Sequence, residues 1–310
     1  MRVDRLGERG LIERISPILG GIEHDDCAVL DMGDEFLVAS TDLLHREADY
    51  PPAASAWQIG WMSVAVNLSD LAAMGAEPLG LLLAVGLPPE TELEFADHLF
   101  SGFADCASAF GTRVLGGDTD SCRELTVAGT ALGRVEKGLI LRRRGARPGD
   151  LLCTTGILGE AGIGLRILEE GGEVSHPMVR RLLEPQPRLS LGRALAGSGA
   201  VSSMMDNSDG LALSLFDMAG AGGVGFEVFA EKIPLPAGLD WQQSLFMAME
   251  AGGDFELLFT VRPHMLSDAK KAAPFAVIGR VLESGIWLCQ GGVRRPLPPH
   301  GFEHLKAAGG

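Results

Sequence analysis

The sequence predicts an α+β (mixed α/β) protein of two domains. Three observations carry this. The chain has 310 residues, more than one domain usually holds. Strand-like apolar runs and helix-like amphipathic stretches are interspersed in both halves. Between the halves, Arg142-Arg143-Arg144-Gly145-Ala146-Arg147-Pro148-Gly149-Asp150 breaks the hydrophobic pattern with arginines, glycines and a proline. This places the domains at 1–138 and 139–310.

In chain order, residues 7–19 read as a helix. Asp25-Asp26 lead into a short strand at 27–30, and Phe36–Ser40 is a second strand ending in Thr41-Asp42. Residues 43–52 read as a loop opening beyond that strand end. Trp57–Pro78 is the organising stretch: a mostly apolar helix with a polar notch, Asn67-Leu68-Ser69-Asp70. Asn67, Asp70 and Met74 share one face by their spacing. Ala72, Ala73, Gly75 and Ala76 are small enough to let another backbone approach. A strand follows at 79–87, a helix at 90–110, and a strand at 113–115 that runs into Gly116-Gly117-Asp118-Thr119. Leu125–Val135 is a further strand.

The second half opens with a strand at 151–155, then helices near 159–170, 177–183 and 188–197. Val201–Met205 leads into Asp206-Asn207-Ser208-Asp209-Gly210 and a helix from Leu211. Strands are expected at 226–229, 255–261, 275–281 and 286–289, with a helix at 241–249.

A net charge of −15 disfavours nucleic-acid binding. No apolar run is long enough for a membrane span, and the charged N-terminus lacks a signal-peptide core, so a cytoplasmic protein is expected. The five cysteines form no CxxC pair, and the seven histidines show no zinc spacing.

The chemistry resides in aspartates. Asp25, Asp26, Asp42, Asp70, Asp118, Asp206 and Asp209 stand mostly at the edge of an apolar strand or helix. A lone buried carboxylate costs several kcal/mol. Converging carboxylates repel unless cations neutralise them, and hard oxygen ligands suit Mg²⁺. Gly116 and Gly117 would let backbone N–H groups approach phosphate, and arginine grips phosphate oxygens. Together these point to nucleotide–Mg²⁺ chemistry. Phosphoryl transfer needs positioning and charge neutralisation rather than a dedicated nucleophile. A two-metal hydrolase is the nearest competitor, but such sites often add histidines. P-loop and protein-kinase signatures are absent.

The motifs LGERGLIERI, DDCAVL, STDLL, GWMSVAVNLSDLAAMGAEPLG, GGDT, RRGARPGDLL, TGILGEAGIGL, EPQPRLSLG, NSDGL and DFELLFTV occur in this order over most of the chain. In them the chain resembles the thiamine-monophosphate kinase family of the aminoimidazole-ribonucleotide-synthetase-like ATP-binding superfamily. The resemblance implies transfer of the ATP γ-phosphate to thiamine monophosphate, assisted by several Mg²⁺ ions. It implies an N-terminal domain that binds ATP and Mg²⁺ and pairs its sheet across a homodimer, and a C-terminal α/β domain. The implied metal ligands are Asp26, Ser40, Thr41, Asp42, Asp70, Asp118, Asp206 and Asp209, with Asp70, Asp118 and Asp209 nearest the chemistry. Gly117, Asp118, Arg143 and Ser208 would meet the nucleotide. On the acceptor side the implied positions are Asp49, Gly253 and Phe302. Here the chain departs from the family, which has histidine where Asp49 stands and glutamate where Gly253 stands. A paralogue acting on another small phosphorylated or carboxylated metabolite is the alternative. A non-catalytic nucleotide sensor on the same fold would not need so many clustered carboxylates.

Overall fold

The computed structural model describes residues 3–302, 304 and 305. The first half contains α1 (Gly7–Ile15), β1 (Ala28–Asp31), β2 (Glu35–His45), α2 (Ala56–Ala73), β3 (Glu77–Leu87), α3 (Leu93–Ala109), β4 (Val114–Ser121) and β5 (Thr126–Glu136). The second contains β6 (Leu151–Thr154), α4 (Glu160–Glu169), α5 (Pro177–Leu183), α6 (Leu189–Gly197), β7 (Val201–Asn207), α7 (Leu211–Gly222), β8 (Gly225–Phe229), α8 (Trp241–Glu250), β9 (Glu256–Val261), α9 (Leu266–Ala272), β10 (Ala276–Leu282), β11 (Ile286–Gln290) and β12 (Val293–Pro296).

The strands form two sheets. One has the order β1-β2-β5-β3-β4, antiparallel except for the parallel β3–β4 pair that α3 connects. The other has the order β12-β11-β8-β10-β6-β9-β7. Mixed sheets with helices on their faces are the α+β arrangement the patterning predicts.

α2 begins at a capping box. The Ser55 hydroxyl accepts from the Gln58 N–H, and the Gln58 side chain accepts from the Ser55 N–H. It ends where Gly75 takes φ +68°, with the Ala76 N–H returning to the Leu71 carbonyl. Fifteen of its eighteen residues are buried. It packs on β2 and β5 on one side and on α3, α6 and β7 on the others. One hydrophobic core therefore runs from Val38 and Val127 of the first sheet through Leu68 and Leu71 to Met204 and Phe259 of the second. A second core, around Leu215, Phe226 and Ile278, belongs to the C-terminal half alone.

The small residues do what their size allows. A Cβ on Gly192 of α6 would strike the Ala72 carbonyl, so α6 rides directly on the α2 backbone. A Cβ on Gly60 would strike the Leu99 carbonyl, and one on Gly102 the Trp57 carbonyl, which fixes the α2–α3 contact.

Three local expectations are corrected. The organising helix stops at Ala73, because Gly75 turns the chain and Glu77 already pairs in β3. Residues 43–45 are strand rather than loop, since β2 keeps pairing with β5 through His45. The Gly116–Thr119 segment continues β4 to Ser121 beside β3, not a turn. The arginine stretch at 142–150, read as a break between the halves, is anchored at its start: the Arg142 guanidinium bonds Glu23 and Asp25, and its carbonyl accepts from the Met204 N–H. The short α9 and β12 carry too little periodicity to be read from sequence.

Gly60→Ala should destabilise the protein by about 1–3 kcal/mol through backbone overlap with α3. Differential scanning fluorimetry should show a melting temperature several degrees lower. Gly138→Ala, where a Cβ would meet nothing within 4 Å, should melt like the parent.

Candidate active site

Three segments deliver one carboxylate each to the centre of the molecule. Asp26 stands just before β1, Asp70 on the last turn of α2, and Asp206 near the end of β7. One oxygen from each lies within 4.8 Å of the others. α2 makes this possible, because it touches both the first sheet and β7.

Each carboxylate is held. Ser40 donates to Asp70. Ser69, one residue before Asp70, donates to Asp206 Oδ2 at 2.6 Å. Arg143 grips Asp26 Oδ1 through Nη2 at 2.7 Å and Nε at 3.1 Å. Asp42 shares the inner face of β2 with Ser40, two residues away. Its N–H donates to Asn67 Oδ1 at 3.2 Å, from the polar notch of α2.

Two acceptors are left over. Asp26 Oδ2 and Asp42 Oδ2 are buried and have no hydrogen-bond partner. Such atoms are costly unless a cation reaches them. Burial, reinforced by the neighbouring aspartates, pushes the Asp70 carboxyl well above its usual range. Burial, with Asp26 nearby, raises Asp206 to about 7. Burial, with Asp209 and Glu8, raises Asp42 to about 6. Asp26 is also raised by burial, although Arg143 opposes the shift. Oxygen-only donors, crowded negative charge and orphaned buried oxygens fit a hard divalent cation such as Mg²⁺.

The other expected residues fall into three places. Asp209 lies beside this centre, where Arg9 donates to it at 3.0 Å while also holding Asp217 through two bonds of 2.7 and 3.0 Å. The Ser208 hydroxyl points to Asp206 Oδ1 at 3.4 Å, and its carbonyl accepts from the Gly253 N–H at 2.8 Å.

Thr41 and Asp118 are elsewhere. The Thr41 side chain alternates to the outer face of the sheet, and its hydroxyl donates to the Gly129 carbonyl. Asp118 pairs with Ala84, which pairs with Ala128, which pairs with Leu43. It therefore shares the outer face and stands three strands, about 14 Å, from β2. It is exposed, and among the described residues its carboxylate accepts only from the adjacent Thr119 N–H. Gly117 next to it has a structural cause, since a Cβ there would run into the Leu83 carbonyl.

The acceptor-side positions gather. The Phe302 N–H donates to the Asp209 carbonyl at 3.1 Å, and a Cβ on Gly252 would lie 3.3 Å from Phe302 Cβ. His304 stacks edge-on against Phe302 and places Nε2 3.6 Å from Asp49 Oδ1.

Sequence reasoning missed Ser69, Glu8, Arg9 and His304. Ser69 had a local signal, inside NLSD. The other three come from chain termini whose folding back no local pattern records.

The AIR synthase related protein N-terminal domain family matches residues 24–135, and the corresponding C-terminal domain family matches residues 147–286. The chain belongs to the AIR synthase related proteins. A curated relative, thiamine-monophosphate kinase of Methanospirillum hungatei, is 42% identical over 300 residues, covering 96% of this chain and 99% of the relative. A solved structure of AaThiL complexed with AMPPCP and TMP is 27% identical, with a TM-score of 0.88 over 98% of this chain and 99% of that one. A solved thiamine-monophosphate kinase from Stenotrophomonas maltophilia K279a is 31% identical, with a TM-score of 0.76, covering 90% and 95%. Within its family, the chain groups with the thiamine-monophosphate kinases.

The raised carboxyls set a pH dependence. Asp206 has an ordinary value of 3.8 and a folded value of about 7. Between these, the folded state binds more protons, so its contribution to stability falls as pH rises. Metal binding needs the ionised form. Added Mg²⁺ should therefore raise the melting temperature at pH 8 and barely at pH 5, and Asp206→Asn should abolish the increment. An equal shift at both pH values would contradict the site.

Proposed function

We propose that the chain transfers the γ-phosphate of ATP directly to thiamine monophosphate, giving thiamine diphosphate. The observation that carries this is the buried Asp26–Asp70–Asp206 cluster, with an orphaned oxygen on Asp26 and another on adjoining Asp42. The AaThiL relative, solved with AMPPCP and TMP, and the kinase name of the Methanospirillum hungatei relative support the substrates.

Asp26, Asp42, Asp70 and Asp206 would hold Mg²⁺, with Asp209 beside them. The ions would neutralise phosphate charge and align the reacting oxygens. Ser40 and Ser69 fix which oxygens of Asp70 and Asp206 face inward. Arg143 favours the ionised form of Asp26 against the effect of burial, and a nucleotide phosphate would add to its partners. No side-chain nucleophile is required, because the acceptor phosphate attacks in line.

The homodimer belongs to this proposal. Leu30, Leu43 and Leu82 are 51%, 62% and 42% exposed, and strand pairing puts them on the outer face of the first sheet. A large unpartnered apolar face suits a second copy. Thr41 and Asp118 lie on that face, so Asp118 would join a metal site from a second copy rather than its own.

The test is incubation with Mg-ATP and thiamine monophosphate, with thiamine diphosphate read as its fluorescent thiochrome. Product should require both ATP and Mg²⁺. Asp70→Asn and Asp118→Asn should each lower kcat at least about a hundredfold with the fold intact. Mixing the two inactive variants should restore part of the activity if the residues serve one site from different copies. Full activity in both single variants would contradict the metal-site assignment. Leu43→Glu with Leu82→Glu should convert the dimer to a monomer in light scattering; an unchanged mass would remove this face as the interface.

A further inference from the structure

We infer that His304, held by Asp49, is the specificity-determining contact for the amino group of a flat heteroaromatic acceptor. The inference rests on the phosphotransfer reading above and names the part of that site which selects the acceptor ring.

Residues 300–302 and 304 lie over the site and are tied down at several points. A Cβ on Gly301 would run into the Asp209 carbonyl and Leu213, so only glycine lets the segment descend there. The Phe302 N–H donates to the Asp209 carbonyl at 3.1 Å, and the His304 N–H donates to Glu8 Oε2 of α1 at 3.3 Å. These bonds leave two aromatic rings facing outward. Phe302 and His304 meet edge to face with ring centres 4.8 Å apart. Phe302 is 45% exposed and the His304 side chain 41%, so each keeps an open surface.

Asp49 explains the orientation of the imidazole. Its side chain is only 8% exposed. Oδ2 accepts from the His45 N–H at 2.8 Å, which fixes the carboxylate. Oδ1 is then turned toward His304 Nε2 at 3.6 Å, a charge–dipole contact longer than a hydrogen bond. With Nε2–H directed at a carboxylate, Nδ1 is the nitrogen that accepts. Nδ1 makes no hydrogen bond among the described residues.

The arrangement thus offers an exposed aromatic ring, an acceptor nitrogen beside it, and Asp209 of the proposed metal site bonded to the Phe302 backbone. Gly253, with φ +95° and its N–H on the Ser208 carbonyl, adds no side chain there. A ring bearing an exocyclic amine and a phosphate arm fits these demands, and thiamine monophosphate has both.

The experiment compares thiamine monophosphate with oxythiamine monophosphate, in which the ring amine is replaced by oxygen. The parent should prefer the amine by about tenfold or more in kcat/KM. His304→Ala should lose most of that preference, through a higher KM for thiamine monophosphate, with the KM for ATP unchanged. His304→Gln, whose amide oxygen can accept, should recover part of it. If the parent fails to phosphorylate thiamine monophosphate, the kinase reading itself falls, and this assignment with it. If the parent does so and His304→Ala discriminates as the parent does, only the role of His304 falls. A uniform loss toward both acceptors and ATP would reduce His304 to anchoring the segment and would overturn the inference.

Discussion

The structure is arranged around a repulsion. Asp26, Asp70 and Asp206 bring oxygens within 4.8 Å of one another in a place where water is largely excluded. At an effective dielectric near 20, each ionised pair at such a distance costs roughly 4 kcal/mol. No folded protein would assemble this for its own stability. The carboxyls respond by moving upward, Asp206 to about 7 and Asp70 well above its usual range. Of the three, Arg143 bonds Asp26 alone, and one oxygen of Asp26 and one of neighbouring Asp42 remain without hydrogen-bond partners. The energy of the fold is spent elsewhere, in a core continuous through α2, so that this cluster can be held ready for cations.

α2 is both the core and the scaffold of the site. Its apolar surface is buried against both sheets, and its last turns carry Asn67, Ser69 and Asp70 inward. Asn67 holds the β2 backbone at Asp42, Ser69 holds Asp206 of the other half, and Asp70 is held by Ser40. Two of these contacts tie α2 to β2 of its own sheet, and the third, Ser69 to Asp206, joins the two halves at the point where the carboxylates meet. Close approach of α6 at Gly192 and of α3 at Gly60 leaves the helix little freedom to shift. Positioning, which phosphoryl transfer needs most, follows from this packing.

The side proposed for the acceptor is built differently. It draws on parts far apart in sequence, Glu8 and Arg9 of α1 with Phe302 and His304. These elements reach Asp209 through single hydrogen bonds from Arg9 and the Phe302 backbone, and Asp49 through a longer contact from His304. Weakly packed elements are the ones that can yield to an incoming ligand.

By itself, the amino-acid sequence determined the class of fold, the two halves, and most helices and strands, because those depend on local periodicity and on capping or breaking residues. It also determined the candidate carboxylates, since aspartate beside serine, threonine or glycine at the end of an apolar run is a local pattern. Only the tertiary structure decided which of them converge. Asp25 and Asp26 are adjacent in sequence, yet Asp25 is occupied by the Arg142 side chain and the Arg143 backbone while Asp26 enters the cluster. Thr41 lies between Ser40 and Asp42 but faces the opposite way, because side chains alternate along a strand. Asp118 reads as part of the same set and lies three strands away, on the outer face. Arginines 142 and 143, which read as a break between the halves, fold back as counter-charges. The physical reason is common to all four cases: convergence depends on register, strand order and long-range ion pairing, and these are properties of the packed chain that no local stretch of sequence contains.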